Sequence, residues 1–173
     1  MIKIVVTGAE STGKSTLAKA IATNLQVPLL EEYSREYISN LNRPYQFDDL
    51  VEIAKYQLAQ EQLVSLTNNP CFICDTGLLV LKIWSEYKYG RLDLYIADEW
   101  TKYKCDLYIL PHFDIPYEKD PLRENPNDRH TLFQLYKDTL EQHNLSYLVV
   151  NGNSSERSEQ ALKATKTLLL SET

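Results

Sequence analysis

The chain reads Gly8-Ala9-Glu10-Ser11-Thr12-Gly13-Lys14-Ser15-Thr16 directly after the apolar run Ile2-Lys3-Ile4-Val5-Val6-Thr7. This matches the pattern G-x-x-x-x-G-K-S/T, in which a buried strand enters a loop and the loop opens a helix. The backbone N–H groups of such a loop surround a phosphate, helped by the helix N-terminus. In this pattern Lys14 reaches the β- and γ-phosphates and the Ser15 hydroxyl holds Mg²⁺. The alternative is a chance glycine-rich turn; pattern and position together predict a nucleoside triphosphate site.

Length and composition indicate one soluble globular domain. A chain of 173 residues is long enough to bury a core. Its content of 43 % hydrophobic and 24 % charged residues is typical of a soluble globular protein. The formal net charge of −6 argues against a nucleic-acid surface, which needs a basic face. No apolar run approaches the roughly 18 residues that span a bilayer, and the N-terminus does not resemble a signal peptide. We therefore expect no nucleic-acid partner, no membrane association and a cytoplasmic location.

The three cysteines predict neither a disulfide framework nor a zinc site. Cys71 and Cys74 form a C-x-x-C pattern, but it lies inside the strand-like run Cys71-Phe72-Ile73-Cys74. Residues three apart on a strand face opposite sides, so these two thiols do not share a metal easily. No second C-x-x-C completes a zinc site. We expect Cys71, Cys74 and Cys105 to be thiols of the core.

Strands and helices alternate along the chain, which is typical of a parallel sheet covered by helices. We expect strands at about 2–7, 29–31, 71–74, 107–110 and 147–150. We expect helices at about 14–26, 48–66, 78–104 with a break near Gly90, 125–143, and a last helix capped by Asn153 and Glu156. The fold class is α/β, a doubly wound five-stranded parallel sheet of the P-loop NTPase, nucleoside-kinase-like type. Its ligand is expected where the strands end, under a proline-rich lid loop at about 111–129.

Asp75 ends the third predicted strand and is the candidate partner of the metal. A carboxylate after a buried strand is typical of a Walker B aspartate, which binds Mg²⁺ directly or through water. Together with Ser15 it would form the metal site. The alternative is that Asp75 or Thr76 only caps the next helix. Both roles are compatible.

Glu31 and Glu32 end the second predicted strand, where a carboxylate can accept the proton of an attacking hydroxyl. Glu32 is the preferred candidate because Tyr33 and Arg35 follow it. The alternative is a solvated acidic turn paired with Arg35. Glu32 is therefore predicted to be the catalytic base of a phosphoryl transfer.

Arg123 and Arg129 lie in and just after the proline-rich loop. Guanidinium groups on a loop over a phosphate site neutralise the transferring phosphoryl group and help exclude water. The alternative is ordinary pairing with nearby acidic residues of the same loop. We predict the lid role for at least one of the two.

The histidines, tyrosines and tryptophans give weaker indications. The three histidines have neither metal-ligand nor triad spacing. Tyrosines such as Tyr33 and Tyr87 suit stacking on a flat heterocycle, but scattered tyrosines also pack in cores. Trp84 and Trp100 are predicted to anchor the long helical stretch to the core.

A larger set of residues resembles a known family. The P-loop is followed by Glu32-Tyr33-Ser34-Arg35-Glu36-Tyr37, Ile53-Ala54 with Gln57, and Cys74-Asp75-Thr76, and later by Tyr117, Asp120, Arg123 and Arg129. In this order they resemble the ribosylnicotinamide kinase domain of NadR-type proteins, over about residues 1–160. The resemblance implies ATP- and Mg²⁺-dependent phosphorylation of the 5′-hydroxyl of nicotinamide riboside.

The resemblance also implies roles for individual residues. Lys14, Glu32, Asp75, Arg123 and Arg129 form the implied catalytic set. The implied substrate-binding set is Glu32, Tyr33, Arg35, Asp75, Tyr117 and Asp120. Residues 151–154 would lie near the adenine.

Three positions depart from the family pattern and bear on the acceptor. The family usually has a second carboxylate two residues after the one aligned with Asp75, where this chain has Gly77. A tryptophan and a glycine are common where Tyr117 and Pro121 stand. A kinase for another nucleoside or metabolite, and a nucleotide-sensing regulatory ATPase, therefore stay open beside the nicotinamide riboside kinase. The oligomeric state and the choice between ATP and GTP also stay open.

Overall fold

The computed structural model describes residues 1–171 and contains a five-stranded sheet whose paired strands are all parallel. The strands are β1 (Ile2–Val6), β2 (Leu29–Leu30), β3 (Cys71–Asp75), β4 (Leu107–Pro111) and β5 (Tyr147–Val150). They lie in the order β2-β3-β1-β4-β5. Helices cover both faces, and the predicted doubly wound parallel sheet is confirmed.

The helices are α1 (Lys14–Leu25), α2 (Tyr33–Ser39), α3 (Asp49–Ser65), α4 (Leu78–Tyr89), α5 (Leu94–Lys102), α6 (Arg129–Gln142) and α7 (Ser154–Ser171). Helices α1 and α7 pack on one face of the sheet. Helices α4 and α6 pack on the other. A third apolar cluster joins α3 and α5 to the outer side of α4.

The central strand β1 shows why the sequence forms a sheet buried on both sides. Ile4 and Val6 face the α1 and α7 side, while Val5 faces the α4 and α6 side. All three side chains are fully buried. A parallel strand covered on both faces has a continuous apolar run rather than an alternating one. Cys71 and Cys74 likewise face opposite sides of β3 as free thiols, as the sequence predicts.

The register of the strands determines which residues lie together at the carboxyl edge of the sheet. Val6 at the end of β1 pairs with Asp75 at the end of β3 and with Ile109 of β4. Because parallel strands end at the same edge, the residues that follow Val6 and Asp75 emerge side by side. None of the helices formed by residues 1–171 combines the length and the apolar character that a membrane span requires.

One expected helix begins later than predicted, and one helix was not predicted. The helix expected from Asn125 begins at Arg129, because residues 125–128 form a turn in which the Asn125 side chain binds another loop. Residues 33–39 form the short helix α2, which the sequence did not predict. This helix is too short for a clear apolar periodicity, so its formation depends on tertiary packing.

Other details agree with the predicted elements. The long helical stretch breaks at Gly90, which adopts a left-handed conformation with φ +64°. Asn153 and Glu156 form the expected capping box at the start of α7. The Asn153 Oδ1 accepts from the backbone N–H of Glu156 at 3.1 Å, and Glu156 Oε2 accepts from the backbone N–H of Asn153 at 2.7 Å.

Candidate active site

The loop between β1 and α1 adopts a backbone that glycine makes possible. Gly8 has φ +133° and Gly13 has φ +78°. A Cβ atom on Gly8 would lie 2.9 Å from the Leu110 side chain, so packing excludes a side chain there as well. The carbonyl of Gly13 accepts the first helical hydrogen bond from the Leu17 N–H at 3.0 Å. Strand, loop and helix follow one another as the phosphate-binding pattern requires.

Lys14, at the start of α1, lies among acidic groups. Its Nζ donates to the carbonyl of Ala9 across the loop at 2.8 Å. Burial lowers the pKa of Lys14, while the carboxylates of Glu32, Asp75 and Glu10 oppose that shift. The ammonium group is therefore held over the loop by a carbonyl that a phosphate oxygen can replace.

Asp75 is a buried carboxyl group at the end of β3, with 5 % of its surface exposed. Burial raises its pKa to about 6, and the nearby Glu32 carboxylate adds to the rise. A hydrogen bond from the Ser15 hydroxyl and the charges of Lys14 and Arg35 act in the opposite direction. Asp75 Oδ1 is buried and has no hydrogen-bond partner among the described residues. Such an atom costs free energy unless a ligand satisfies it.

Ser15 and Asp75 fit a magnesium ion. Hydroxyl and carboxylate oxygens are the ligands that Mg²⁺ prefers, and the free Asp75 Oδ1 lies in a buried position. Within residues 1–171, no group of three or more His, Cys, Asp and Glu side chains could hold a metal by itself. An ion at this place would take its other ligands from phosphate oxygens and water, as Mg²⁺ usually does.

The carboxylate of Glu32, directly after β2, is held by two donors. Ser34 Oγ donates to Glu32 Oε1 at 2.9 Å, and Arg35 Nε contacts Glu32 Oε2 at 3.3 Å. Arg35 Nη1 also donates to Asp120 Oδ2 of the following loop at 2.9 Å. The short helix α2 thus presents a carboxylate and a guanidinium group to the site, and connects them to the lid.

The lid loop, residues 112–128, is fastened to the phosphate-binding loop through Ser11. The backbone N–H of Glu118 donates to Ser11 Oγ at 2.8 Å, and Arg123 Nη1 donates to the same oxygen at 3.3 Å. Arg129 Nη1 donates to the carbonyl of Ser11 at 3.2 Å and to that of Ile115 at 2.8 Å. Both arginines therefore lie at the phosphate-binding loop.

Glu10 makes a second connection between the phosphate-binding loop and the lid. Its Oε1 accepts from Asn125 Nδ2 at 2.7 Å and from the backbone N–H groups of Glu124 and Asn125, each at 3.2 Å. Its Oε2 is buried and has no hydrogen-bond partner in residues 1–171. Glu124 in turn accepts from Lys88 Nζ at 2.8 Å and from the Tyr45 hydroxyl at 2.6 Å.

Arg157 of α7 is a buried cation beneath the same loop, with 3 % of its surface exposed. It donates to the carbonyls of Thr12 and Gly152, both at 2.7 Å, and to that of His112 at 3.0 Å. It also forms an ion pair with Asp114. Arg157 therefore joins the phosphate-binding loop to the ends of β4 and β5.

Two cavities meet at the carboxyl ends of the strands. One, of about 360 Å³, is bounded by the phosphate-binding loop, α4, α6 and the lid. The other, of about 490 Å³, lies between the end of β2, α2, α3 and Asp75. Ser15, Glu32 and Arg35 line both. We call these the loop cavity and the side cavity.

Most of the predicted site residues line one of these cavities. The whole segment from Gly8 to Thr16, with Arg123, lines the loop cavity, and Tyr33 and Asp75 line the side cavity. Arg129, Tyr117 and Asp120 line neither. The Tyr117 ring lies 5.7 Å from the Arg129 guanidinium carbon, and Asp120 connects to the site through Arg35.

Three residues of the loop cavity were not singled out for the site. Trp84, expected to anchor its helix, does pack against the α3–α5 cluster but also lines the cavity. Tyr136 lies on α6 two turns after Arg129, and this spacing could have placed it on the same face. No local pattern pointed to Arg157, whose partners come from three separate segments.

The chain is similar to NadR proteins in sequence. It is 28 % identical over 154 residues to the trifunctional NAD biosynthesis/regulator protein NadR of Escherichia coli K12, covering 85 % of this chain and 37 % of that protein. It is 27 % identical over 157 residues to the Salmonella typhimurium NadR, with the same two coverages. The match therefore spans little more than a third of the length of these curated relatives.

Solved structures show the same fold at lower identity. A NadR protein in complex with NR superposes with a TM-score of 0.84 at 21 % identity, over 97 % of this chain and 51 % of that one. The deoxyadenosine kinase of M. mycoides superposes with a TM-score of 0.68 at 16 % identity, over 96 % of this chain and 100 % of that one. These similarities establish a P-loop fold of the nucleoside-kinase type.

A family model described as an AAA domain matches residues 3–157. The match includes all five strands and the phosphate-binding loop. The similarity to the Escherichia coli NadR covers 85 % of the chain. The protein therefore belongs to the AAA domain family, and in sequence it resembles the NadR proteins.

Proposed function

We propose that this protein is an ATP- and Mg²⁺-dependent kinase that phosphorylates the 5′-hydroxyl of nicotinamide riboside. The observation that carries the proposal is the junction of the two cavities at Ser15, Glu32 and Arg35. One cavity contains the phosphate-binding loop, and the other has carboxylates beside it. A phosphoryl transfer needs this arrangement, because donor and acceptor must meet in line.

The nucleotide is assigned to the segment from Gly8 to Thr16. The backbone N–H groups of this loop bind the phosphates, and Lys14 exchanges its Ala9 carbonyl for a phosphate oxygen. Ser154 and Arg157 line the same cavity, which supports residues 151–154 as neighbours of the adenine.

Ser15 and Asp75 are assigned to the metal. When bound, Mg²⁺ supplies positive charge to the β- and γ-phosphate oxygens and fixes their orientation. The protein's own contribution is a buried carboxylate with a free oxygen, at the edge of the sheet where Ser15 lies in the first turn of the helix after the phosphate-binding loop.

The acceptor is assigned to the side cavity, with Glu32 as the base that takes the proton of the attacking hydroxyl. The Ser34 hydroxyl and the Arg35 guanidinium group hold the Glu32 carboxylate in place, and positioning matters more than basicity in a loose transition state. Tyr33, Arg35 and Asp75 complete the acceptor side. Tyr117 and Asp120 would contact substrate only through a movement of the lid. The choice of nicotinamide riboside is supported by the similarity to NadR.

Arg123 and Arg129 are assigned to the lid, which they hold against Ser11. A guanidinium group at this place neutralises charge on the transferring phosphoryl group. The closed loop would also keep water away from it.

A kinase for another nucleoside is the second candidate, and Gly77 favours it. A Cβ atom at Gly77 would lie 2.8 Å from Val5 and 2.9 Å from the Tyr103 hydroxyl, so this chain has no room for the second carboxylate of the NadR pattern. The chain therefore differs from that pattern two residues after Asp75, at a position that lines neither cavity.

The test is phosphoryl transfer from Mg-ATP to nicotinamide riboside, to each of the common nucleosides, and without any acceptor. We expect product with nicotinamide riboside. If product forms only with another nucleoside, the protein is still a kinase, but its acceptor is that nucleoside and not nicotinamide riboside. Nucleotide binding or hydrolysis without transfer to any acceptor would contradict the kinase and favour a nucleotide-sensing ATPase.

The role of Glu32 is tested by Glu32→Gln compared with Glu31→Gln. We expect Glu32→Gln to lower kcat by about 10²- to 10⁴-fold while nucleotide affinity stays unchanged, since general base catalysis contributes on this order. A larger loss in Glu31→Gln would transfer the role to Glu31.

A further inference from the structure

The turn that follows β3 has a strained backbone directly after Asp75. Thr76 has φ +68°, a left-handed conformation that a β-branched residue rarely adopts. The residue is also buried, with 4 % of its surface exposed. A conformation of this kind persists only where the surroundings determine it, and it is often found at functional sites.

Gln57 of α3 is one of the groups that hold this turn. Its side-chain Nε2 donates to the carbonyl of Thr76 at 3.1 Å. The backbone N–H of Thr76 donates to the carbonyl of Val6 at 2.9 Å. Both polar groups of the Thr76 backbone are therefore satisfied, one by β1 and one by a side chain from α3.

The amide of Gln57 is itself fixed by Glu61, one helical turn further along α3. Gln57 Nε2 lies 3.4 Å from Glu61 Oε1. Because both neighbours of this nitrogen are acceptors, the amide has one favoured orientation. Glu61 is 4 % exposed, and Lys3 Nζ contacts its other oxygen at 2.8 Å.

The same carboxylate also fixes the other side of the turn. The Tyr103 hydroxyl donates to Glu61 Oε1 at 2.9 Å. A Cβ atom at Gly77 would lie 2.9 Å from that hydroxyl oxygen. Glu61 thus supports Gln57 behind Thr76 and Tyr103 behind Gly77, which leaves the turn little freedom to move.

We infer that Gln57 is a positioning residue for Asp75: by bonding the Thr76 carbonyl it holds the turn that aims the Asp75 carboxylate at the metal. This inference rests on the metal role of Asp75 in the proposed function. Gln57 and Asp75 both line the side cavity, which is where a displaced carboxylate would move. Groups that orient a metal ligand in this way commonly affect metal affinity by about 10- to 100-fold.

The test measures binding of the ATP analogue AMP-PNP by calorimetry, with Mg²⁺ and with EDTA, so that no acceptor or turnover is needed. The variants are Gln57→Leu, which removes the amide, and Gln57→Met, which keeps the length of the side chain and adds no charge but lacks the donor. Gln62→Leu is the matched control, because Gln62 lies exposed on the same helix. Thermal unfolding of each variant reports whether the fold is kept.

In EDTA, we expect both Gln57 variants to bind AMP-PNP with an affinity within about twofold of wild type. The factor by which Mg²⁺ increases the affinity for AMP-PNP should be about tenfold smaller in these variants than in wild type. Gln62→Leu should keep the whole gain. If Mg²⁺ increases the AMP-PNP affinity of wild type and of the Gln57 variants by the same factor, the inference is wrong while the proposed function stands. If wild type gains nothing from Mg²⁺, the metal role of Asp75 fails and the inference fails with it.

Discussion

At the scale of single residues, Asp75 shows how a functional group is kept at a cost to stability. Its carboxyl group is buried, one of its oxygens has no partner among the described residues, and its pKa is raised to about 6. The surrounding protein therefore disfavours the charged form that a metal ion needs. The Asp75 carboxylate therefore obtains its full set of partners only when a ligand binds at the site.

Asp75→Asn should make the ligand-free protein more stable at pH 7. A folded pKa of about 6 lies above the unfolded value of 3.8, so the folded state binds the proton more tightly. Stability is therefore lost as the pH rises through this interval. Since one pKa unit corresponds to about 1.4 kcal/mol, we expect the variant to gain about 1 to 3 kcal/mol at pH 7.

Urea unfolding at pH 4 and pH 7 measures this gain. The difference between the variant and wild type should be small at pH 4 and large at pH 7. Asp98→Asn, an exposed aspartate on α5, is the control. An equal difference at both pH values would show that protonation of Asp75 is not its source.

The contribution of Mg²⁺ to nucleotide affinity should fall as the pH drops below about 6. Protonation of Asp75 removes its negative charge, and with it the ligand that the metal needs. We expect the Mg²⁺-dependent gain to decline by up to about tenfold per pH unit below the pKa of Asp75. Calorimetric titrations between pH 5 and pH 7 test this. A gain that is constant over this range would contradict the role of Asp75.

At the scale of elements, the lid and the phosphate-binding loop form one connected unit. Ser11 and Glu10 lie in the loop that a nucleotide would occupy, and both bind the lid. The predicted helix start at Asn125 fails for this reason, because Asn125 donates to Glu10 instead of capping a helix. A displacement of Ser11 or Glu10 would therefore break or move contacts of the lid.

Glu10→Ala should release part of the lid. The change removes three hydrogen bonds that Glu10 Oε1 accepts from Glu124 and Asn125. We expect trypsin to cleave after Lys119 or Arg123 several-fold faster than in wild type, because cleavage follows local opening. Glu52→Ala, an exposed position on α3, is the control. Unchanged cleavage would mean that Ser11 and Arg35 hold the lid without Glu10.

At the scale of the whole molecule, segments distant in the sequence converge on the turn after β3. The side chains of Val5 in β1 and of Tyr103, in the segment before β4, pack against Gly77. The Gln57 side chain of α3 donates a hydrogen bond to the carbonyl of Thr76. Gly77 has an extended backbone, with φ −150°, so any residue could adopt its conformation. Packing alone requires glycine at this position.

Gly77→Ala should therefore destabilise the protein through overpacking, by about 1 to 3 kcal/mol. The added methyl group would meet Val5 and the Tyr103 hydroxyl. Combining it with Tyr103→Phe, which removes that hydroxyl, should recover part of the loss, so the two effects should not be additive. Denaturant unfolding of the two single variants and the double variant measures this. Additive losses would show that Tyr103 is not what restricts position 77.

The sheet and the phosphate-binding loop could be predicted from the amino-acid sequence alone. Both depend on local signals, namely apolar runs, glycines and the residues that follow each strand, which act through chain geometry over a few positions. The places of Asp75 and Glu32 followed from the same rule, since parallel strands end at one edge.

The surroundings of those residues could not be predicted from the sequence, because they depend on tertiary contacts. Helix α2, the turn at Asn125 and the roles of Gln57 and Arg157 depend on partners far away in the sequence, such as Thr76 for Gln57 and Thr12 for Arg157. The loss of space at Gly77 likewise comes from Tyr103, 26 positions away. Hydrogen bonds and van der Waals contacts act over a few ångströms of space, whatever the separation along the chain, so a local pattern does not contain them.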